Sequence, residues 1–171
     1  LTAGLSDEGD FSVGIAAVGN ITVQNASGPG QVGFATQGNL QTGNLSAGDL
    51  VMTLVGGNTT TGSITTSGAS GGQVFMADDS MFATGGGTLD GEGDFDPSIV
   101  LALEPVATGG SITINGPVNT GLFRAAAGTG LTTQAITTSG DIQASAGGTA
   151  ALNGVCDSGD DVALASNDID I

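Results

Sequence analysis

Gly19-Asn20-Ile21-Thr22-Val23 is the phrase on which the fold turns. A glycine that punctuates the chain precedes a polar, apolar, polar, apolar alternation, the two-residue period of a strand with one buried face. The phrase returns at Gly38-Asn39-Leu40, Gly48-Asp49-Leu50, Gly62-Ser63-Ile64, Gly110-Ser111-Ile112-Thr113-Ile114 and Gly140-Asp141-Ile142. A second form, Gly30-Gln31-Val32-Gly33-Phe34, recurs as Gly72-Gln73-Val74-Phe75-Met76. Strands of three to five residues separated by glycine turns follow from this pattern, with the glycines supplying positive-φ corners.

Spacing carries more weight than the motif. Ile21, Leu40, Ile64, Leu89, Ile112 and Ile136 follow one another at intervals of 19, 24, 25, 23 and 24 along the chain. A repeat of that length is the signature of a solenoid, in which parallel strands of successive coils stack an apolar core. The expected fold is therefore all-β, a parallel β-helix (β-solenoid) of about seven irregular coils, with residues 1–171 as one module cut from a longer chain. An antiparallel sandwich is the competing fold, but the hairpin dipeptide Asn-Gly appears only at Asn115-Gly116 and Asn153-Gly154. The least regular stretch, 78–105, reads as a longer loop near residues 78–98 followed by a fully buried strand, Ile99-Val100-Leu101-Ala102-Leu103.

Composition bounds the chemistry. With 17 acidic residues against one basic residue, the 171-residue chain carries a formal charge of −16. Nucleic acid is excluded as a partner, since phosphate binding draws on Lys and Arg and only Arg124 is present. The 32 glycines suggest disorder at first, yet only 11% of residues are charged and the mean hydropathy is positive, which favours a buried core. The uncharged stretch between Leu50 and Ala77 is broken by Gly and Thr every few residues, so no membrane insertion of this segment is expected. His, Lys and Tyr are absent from the remaining inventory, which removes most general-base and nucleophile-activating chemistry.

Runs such as Gly19-Asn20-Ile21-Thr22-Val23, Thr61-Gly62-Ser63-Ile64-Thr65-Thr66-Ser67-Gly68 and Gly140-Asp141-Ile142-Gln143-Ala144-Ser145-Ala146-Gly147-Gly148 resemble the repeats of filamentous-haemagglutinin-type bacterial exoproteins. The likeness covers most of the chain outside 78–105. It extends to the passengers of related autotransporters and implies a right-handed parallel β-helix at or released from the bacterial cell surface. It brings no catalytic motif.

The lone Cys156 cannot form an internal disulfide, and its neighbours Asp157, Asp160 and Asp161 are expected to raise its pKa, leaving a packing role. Asp90, Glu92, Asp94 and Asp96 alternate along a glycine-rich stretch and could converge on calcium, although Phe95 stands where a calcium-binding repeat would place an aspartate. Asp157, Asp160 and Asp161 form a second candidate metal cluster, while Asp7, Glu8 and Asp10 read as surface charge. The pairs Asp78-Asp79 and Asp94 with Asp96 are the carboxylates a glycosidase would need. Polysaccharide lyase chemistry would call on cations beyond Arg124, which reads more simply as a salt-bridge partner.

The pairs Thr65-Thr66, Thr132-Thr133 and Thr137-Thr138 invite an ice-binding reading, but they do not recur in every coil. Sequons at Asn20, Asn25, Asn44 and Asn58 permit glycosylation, and a Ser- and Thr-rich chain makes several by chance. The expectation is a non-enzymatic extracellular structural or adhesive rod that meets a cell-surface receptor or stacks end to end on itself. The alternatives are a carbohydrate-active β-helix fragment and a calcium-stabilised secreted module.

Overall fold

The computed structural model describes residues 11–68, 71–78 and 107–171. Among them there is no helix, and every strand pair is parallel. The parallel pairing excludes the antiparallel sandwich. The chain winds as stacked triangular coils whose three sides are strands.

The first coil consists of β1 (Phe11–Ala17), β2 (Ile21–Val23) and β3 (Ala26–Gly28), and the second of β4 (Gln31–Thr36), β5 (Leu40–Thr42) and β6 (Leu45–Ala47). The third follows with β7 (Leu50–Val55), β8 (Thr59–Thr61) and β9 (Ile64–Thr66). The fourth comprises β10 (Gln73–Ala77), β11 (Ile112–Ile114) and β12 (Val118–Thr120), and the fifth β13 (Leu122–Ala127), β14 (Leu131–Thr133) and β15 (Ile136–Thr138). In the sixth, β16 (Ile142–Leu152) runs through a corner and supplies two sides before β17 (Cys156–Ser158). Two sides of a seventh come from β18 (Val162–Asp170). The result is a β-solenoid of about seven turns.

The long face is the stack β1-β4-β7-β10-β13-β16, the second face runs from β2 to β14 and joins it through β16, and the third face is β3-β6-β9-β12-β15-β17. Registration aligns like with like. Val13, Val32, Val51, Val74, Phe123, Ile142 and Val162 form one continuous ladder on the long face. Ala26, Leu45, Ile64, Val118, Ile136 and Cys156 form another on the third. These ladders meet in one apolar core along the axis, its members from Val32 to Ile142 almost wholly buried. Each coil buries little by itself, so stacking supplies most of the stability.

The coil length is more regular than the sequence spacing suggests. Ile21 pairs with Leu40, Leu40 with Thr59 and Ile112 with Leu131, the same step of nineteen each time. Ile21, Leu40 and Ile112 belong to the second face, whereas Ile64 and Ile136 belong to the third, and Leu89 lies outside the described residues. The sequence phase thus crossed faces. Two insertions add to the regular unit. Leu50 pairs with Gln73 where the regular step would end at position 69, so the corner before β10 is four residues longer. The next corner is longer still: Ala77 pairs with Leu54 and Ile112 with Thr59, so in coil four the whole interval from 77 to 112 replaces a step of five. The expected loop near 78–98 and strand at 99–103 fall in this corner; apart from Asp78 they lie outside the described residues.

Most corner glycines serve a different purpose from the expected one. Among the described residues only Gly71 and Gly72 have positive φ, at 80° and 66°. Gly62 shows the commoner reason, because a Cβ there would stand 2.4 Å from Asn44 Oδ1 in the coil before. Close approach of stacked corners, not left-handed backbone, demands glycine.

Candidate interaction surfaces

The corners carry the most regular polar construction. Asn39 N–H donates to Asn20 Oδ1 at 2.8 Å, Asn58 N–H to Asn39 Oδ1 at 2.8 Å and Ser111 N–H to Asn58 Oδ1 at 2.8 Å. A second ladder runs along the next corner, from Asn44 N–H to Asn25 Oδ1 at 2.7 Å and from Ser63 N–H to Asn44 Oδ1 at 3.0 Å. Each asparagine thereby satisfies a corner N–H that no strand partner reaches. The sequence reading missed these ladders, although Gly-Asn at 19, 38 and 57 spelled out their regular step.

Outward positions on the second and third faces form polar rows. Thr22, Gln41, Thr60, Thr113 and Thr132 align on the second face, and Ser27, Ser46, Thr65, Asn119, Thr137 and Asp157 on the third. Neighbours in a row are about 4.8 Å apart. The threonine pairs divide between surface and core: Thr65 and Thr137 are exposed, whereas Thr66 and Thr138 are buried. Inside, Thr66 Oγ1 lies 2.8 Å from Thr120 Oγ1, and the Thr138 hydroxyl donates to Gly140 O at 2.7 Å. Half of each pair is therefore withdrawn from any water-ordering surface.

The long face differs. Leu50, Met52 and Leu54 point outward by register, yet each is only 2% exposed. Phe75 and Ala77 beside them are fully buried, and the five form a cluster separate from the axial core. Arg124 faces outward on the same surface, in register with Phe75 and Gln143, and is half-buried.

Of the metal candidates, Asp90, Glu92, Asp94 and Asp96 lie outside the described residues. Asp157 is exposed at the outward position of β17, and Asp160 and Asp161 are exposed on the corner that follows. Among the described residues no group of three His, Cys, Asp or Glu side chains is gathered closely enough to hold a metal ion. Asp161 N–H instead meets Asp141 Oδ1 at 3.4 Å, repeating the corner ladder with a carboxylate. Of the glycosidase pairs, Asp78 stands half-buried just beyond β10; Asp79, Asp94 and Asp96, like Asp7, Glu8 and Asp10, are outside the described residues.

Cys156 occupies a core position, stacked on Ile136 and packed against the apolar cluster. Its thiol is held above the ordinary value by burial, so desolvation and not the neighbouring aspartates is the cause. A shallow groove of about 400 Å³ follows the corner beyond β13, lined by Ala127, Gly128, Ala146, Gly147, Ser166 and Asn167 among others. Its lining carries neither charge nor aromatic ring.

The seventh coil leaves its core side bare. Val162 is 49% exposed and Ile169 43%, where their counterparts Ile142 and Ala150 in the coil below are buried. No helix among the described residues is long and apolar enough to cross a membrane. Compared with known proteins, the chain matches no family model, no curated protein and no solved structure.

Proposed function

We propose that this chain is a non-enzymatic structural and adhesive module, a stretch of rod at the bacterial cell surface that stacks end to end or presents its flank to a cell-surface receptor. The observation that carries this reading is the uninterrupted stacking, in which the apolar ladders from Val13 to Val162 and from Ala26 to Cys156 run through every described coil and leave polar rows on two faces. Coils of this kind pair edge to edge with further coils, which is the contact that end-to-end stacking uses. The polar rows on two faces and the charge of −16 keep sideways association unfavourable, so growth along the axis is favoured.

Geometry sets the scale of such a rod. Coils advance by about 4.8 Å, so seven of them rise roughly 34 Å.

Sedimentation velocity and negative-stain imaging over a wide concentration range test the reading. Particles should lengthen with concentration in increments of about 34 Å while keeping one width. Compact single copies at every concentration would end the end-to-end reading.

A further inference from the structure

We propose that Asn115 and Asn153 are sites of self-modification, each converting to an aspartyl or isoaspartyl residue by attack of the backbone nitrogen of the glycine that follows. The carrying observation is an irregularity at one corner of the solenoid. Between the second and third faces the regular corner holds two residues, as at Gly43-Asn44, Gly62-Ser63 and Gln134-Ala135. Ile114 and Val118 pair with Thr61 and Ile64, yet three residues, Asn115-Gly116-Pro117, stand between them. Leu152 and Cys156 pair with Thr133 and Ile136, and Asn153-Gly154-Val155 stands between them. Coils four and six thus carry one extra residue at this corner, and the backbone bonds identify it. Asn115 N–H donates to Thr61 O at 2.9 Å and Asn153 N–H to Thr133 O at 3.0 Å, as Gly43 N–H does to Val23 O in a regular corner. The carbonyls of Pro117 and Val155 accept from Ile64 and Ile136, as Ser63 O does from Leu45. Gly116 and Gly154, in the middle, are the inserted residues, and neither N–H has a hydrogen-bond acceptor among the described residues.

Stacking itself demands glycine at the inserted place, because a Cβ would stand 2.8 Å from Ser63 N at position 116 and 2.5 Å from Ala135 N at position 154. No side chain therefore shields the nitrogen. Asn115 and Asn153 are exposed, and among the described residues their amides have no hydrogen-bond partner. The ladder asparagines differ in both reacting groups. Oδ1 of Asn20, Asn25, Asn39, Asn44 and Asn58 each accepts a corner N–H of the next coil. The N–H that follows each of them, on Ile21, Ala26, Leu40, Leu45 and Thr59, is bonded at 2.8–3.1 Å to a carbonyl of that coil. A held amide and a held nitrogen meet only if the corner opens. Neither is held at 115 or 153. The glycine nitrogen gives its proton to hydroxide and bonds to the asparagine Cγ, and the amide nitrogen leaves as ammonia with a proton from water. Water then opens the five-membered imide at either carbonyl, giving aspartate or isoaspartate. Each conversion adds one negative charge to the −16, and the isoaspartyl product routes the main chain through an extra methylene at a corner already longer than its neighbours. The chemistry is independent of end-to-end stacking.

Ageing the folded chain at mildly alkaline pH, followed by peptide mapping with fragmentation that distinguishes aspartyl from isoaspartyl, tests the proposal. A parallel sample held unfolded in urea gives the rate each site has without the fold. In the folded chain Asn115 and Asn153 are expected to convert within about tenfold of their unfolded rates, since no opening precedes attack, while the ladder asparagines stay unchanged. Silence at either corner over a period that converts the unfolded chain would overturn the proposal. The variant Ala26→Gly separates fold from sequence: it sets Asn25 before a glycine at a two-residue corner, where Oδ1 and the following N–H are both bonded to Asn44. Asn25 should then convert in urea and stay intact in the folded variant. Conversion there as fast as at Asn115 would overturn the proposal equally, because the dipeptide alone would be setting the rate.

Discussion

Replacing Gly62 by Ala tests the idea that the stacked corners are built around asparagine side chains. The added methyl would stand 2.4 Å from Asn44 Oδ1 and 2.9 Å from the Gly43 carbonyl carbon, so the amide must swing away. Doing so breaks the bond from Ser63 N–H to Asn44 Oδ1, worth about 1 kcal/mol. Forcing the side chain off its rotamer adds about 1 kcal/mol, and easing the backbone away from Gly43 about another. Loss of glycine's freedom in the unfolded chain returns roughly 0.5–1 kcal/mol. The net destabilisation is then about 2 kcal/mol, a fall of roughly 4–8 °C in melting temperature for a chain of this size.

The decisive measurement is the same substitution in an Asn44→Ala background. With no amide to displace, Gly62→Ala should cost no more than about 0.5 kcal/mol there, a coupling of about 1.5 kcal/mol between the two sites. Urea titrations of the parent, both single variants and the double variant supply the cycle. Equal costs for Gly62→Ala in both backgrounds would refute the reasoning, because the glycine would then be needed for the backbone alone.

Other expectations follow from single residues. Thr59 interrupts the ladder between Leu40 and Ile112, and its buried hydroxyl has no hydrogen-bond partner; Thr59→Val should therefore stabilise the fold by about 1 kcal/mol in urea titration, and a loss of stability would contradict this. Phe123, fully buried between Val74 and Ile142, should cost about 3–5 kcal/mol as Ala, read in the same titration. Ile169→Lys should abolish concentration-dependent lengthening in sedimentation while shifting the melting temperature by less than about 2 °C, since its side chain is 43% exposed. Burial raises the folded-state pKa of Cys156, so above the ordinary thiol value the unfolded chain releases its proton first. Stability contributed by the thiol is thus complete at neutral pH and is lost as pH rises through the folded-state value. A Cys156→Ser variant should show a smaller decline over that alkaline range, and alkylation of the parent should be slower at pH 8 than for a free thiol.

The solenoid itself was legible because most inward residues are apolar, as Ile21, Leu40 and Ile112 are, with a polar residue after each. The phase was harder to find for a geometric reason. Second- and third-face strands share the same apolar-polar alternation and begin five residues apart, as at Leu40 and Leu45 or Leu131 and Ile136. A reader who slips from one face to the other turns a step of 19 into one of 24, the interval from Leu40 to Ile64 and from Ile112 to Ile136. The corner ladders left a fainter trace, since Ser63 and Ser111 follow the asparagines as backbone donors and Asp141 takes the acceptor's place further along, which dilutes the motif. The outward apolar patch of the long face left none within its own strands. Leu50-Val51-Met52-Thr53-Leu54-Val55 reads as a strand buried on both sides, and only the fold reveals which residues have their backs to the core.

The corner geometry also dictates what a scan for glycan acceptors will find. In the first three coils an asparagine at the corner reaches the next corner's N–H, an inward side chain follows it, and then an outward one that favours Ser or Thr on a solvated strand. Asn20-Ile21-Thr22, Asn25-Ala26-Ser27, Asn44-Leu45-Ser46 and Asn58-Thr59-Thr60 are four instances of that rule, and Asn39-Leu40-Gln41 is the same construction with glutamine in the third place. The sugar-attachment consensus here is the spelling of a bend, written by stacking and independent of any glycosylating cell.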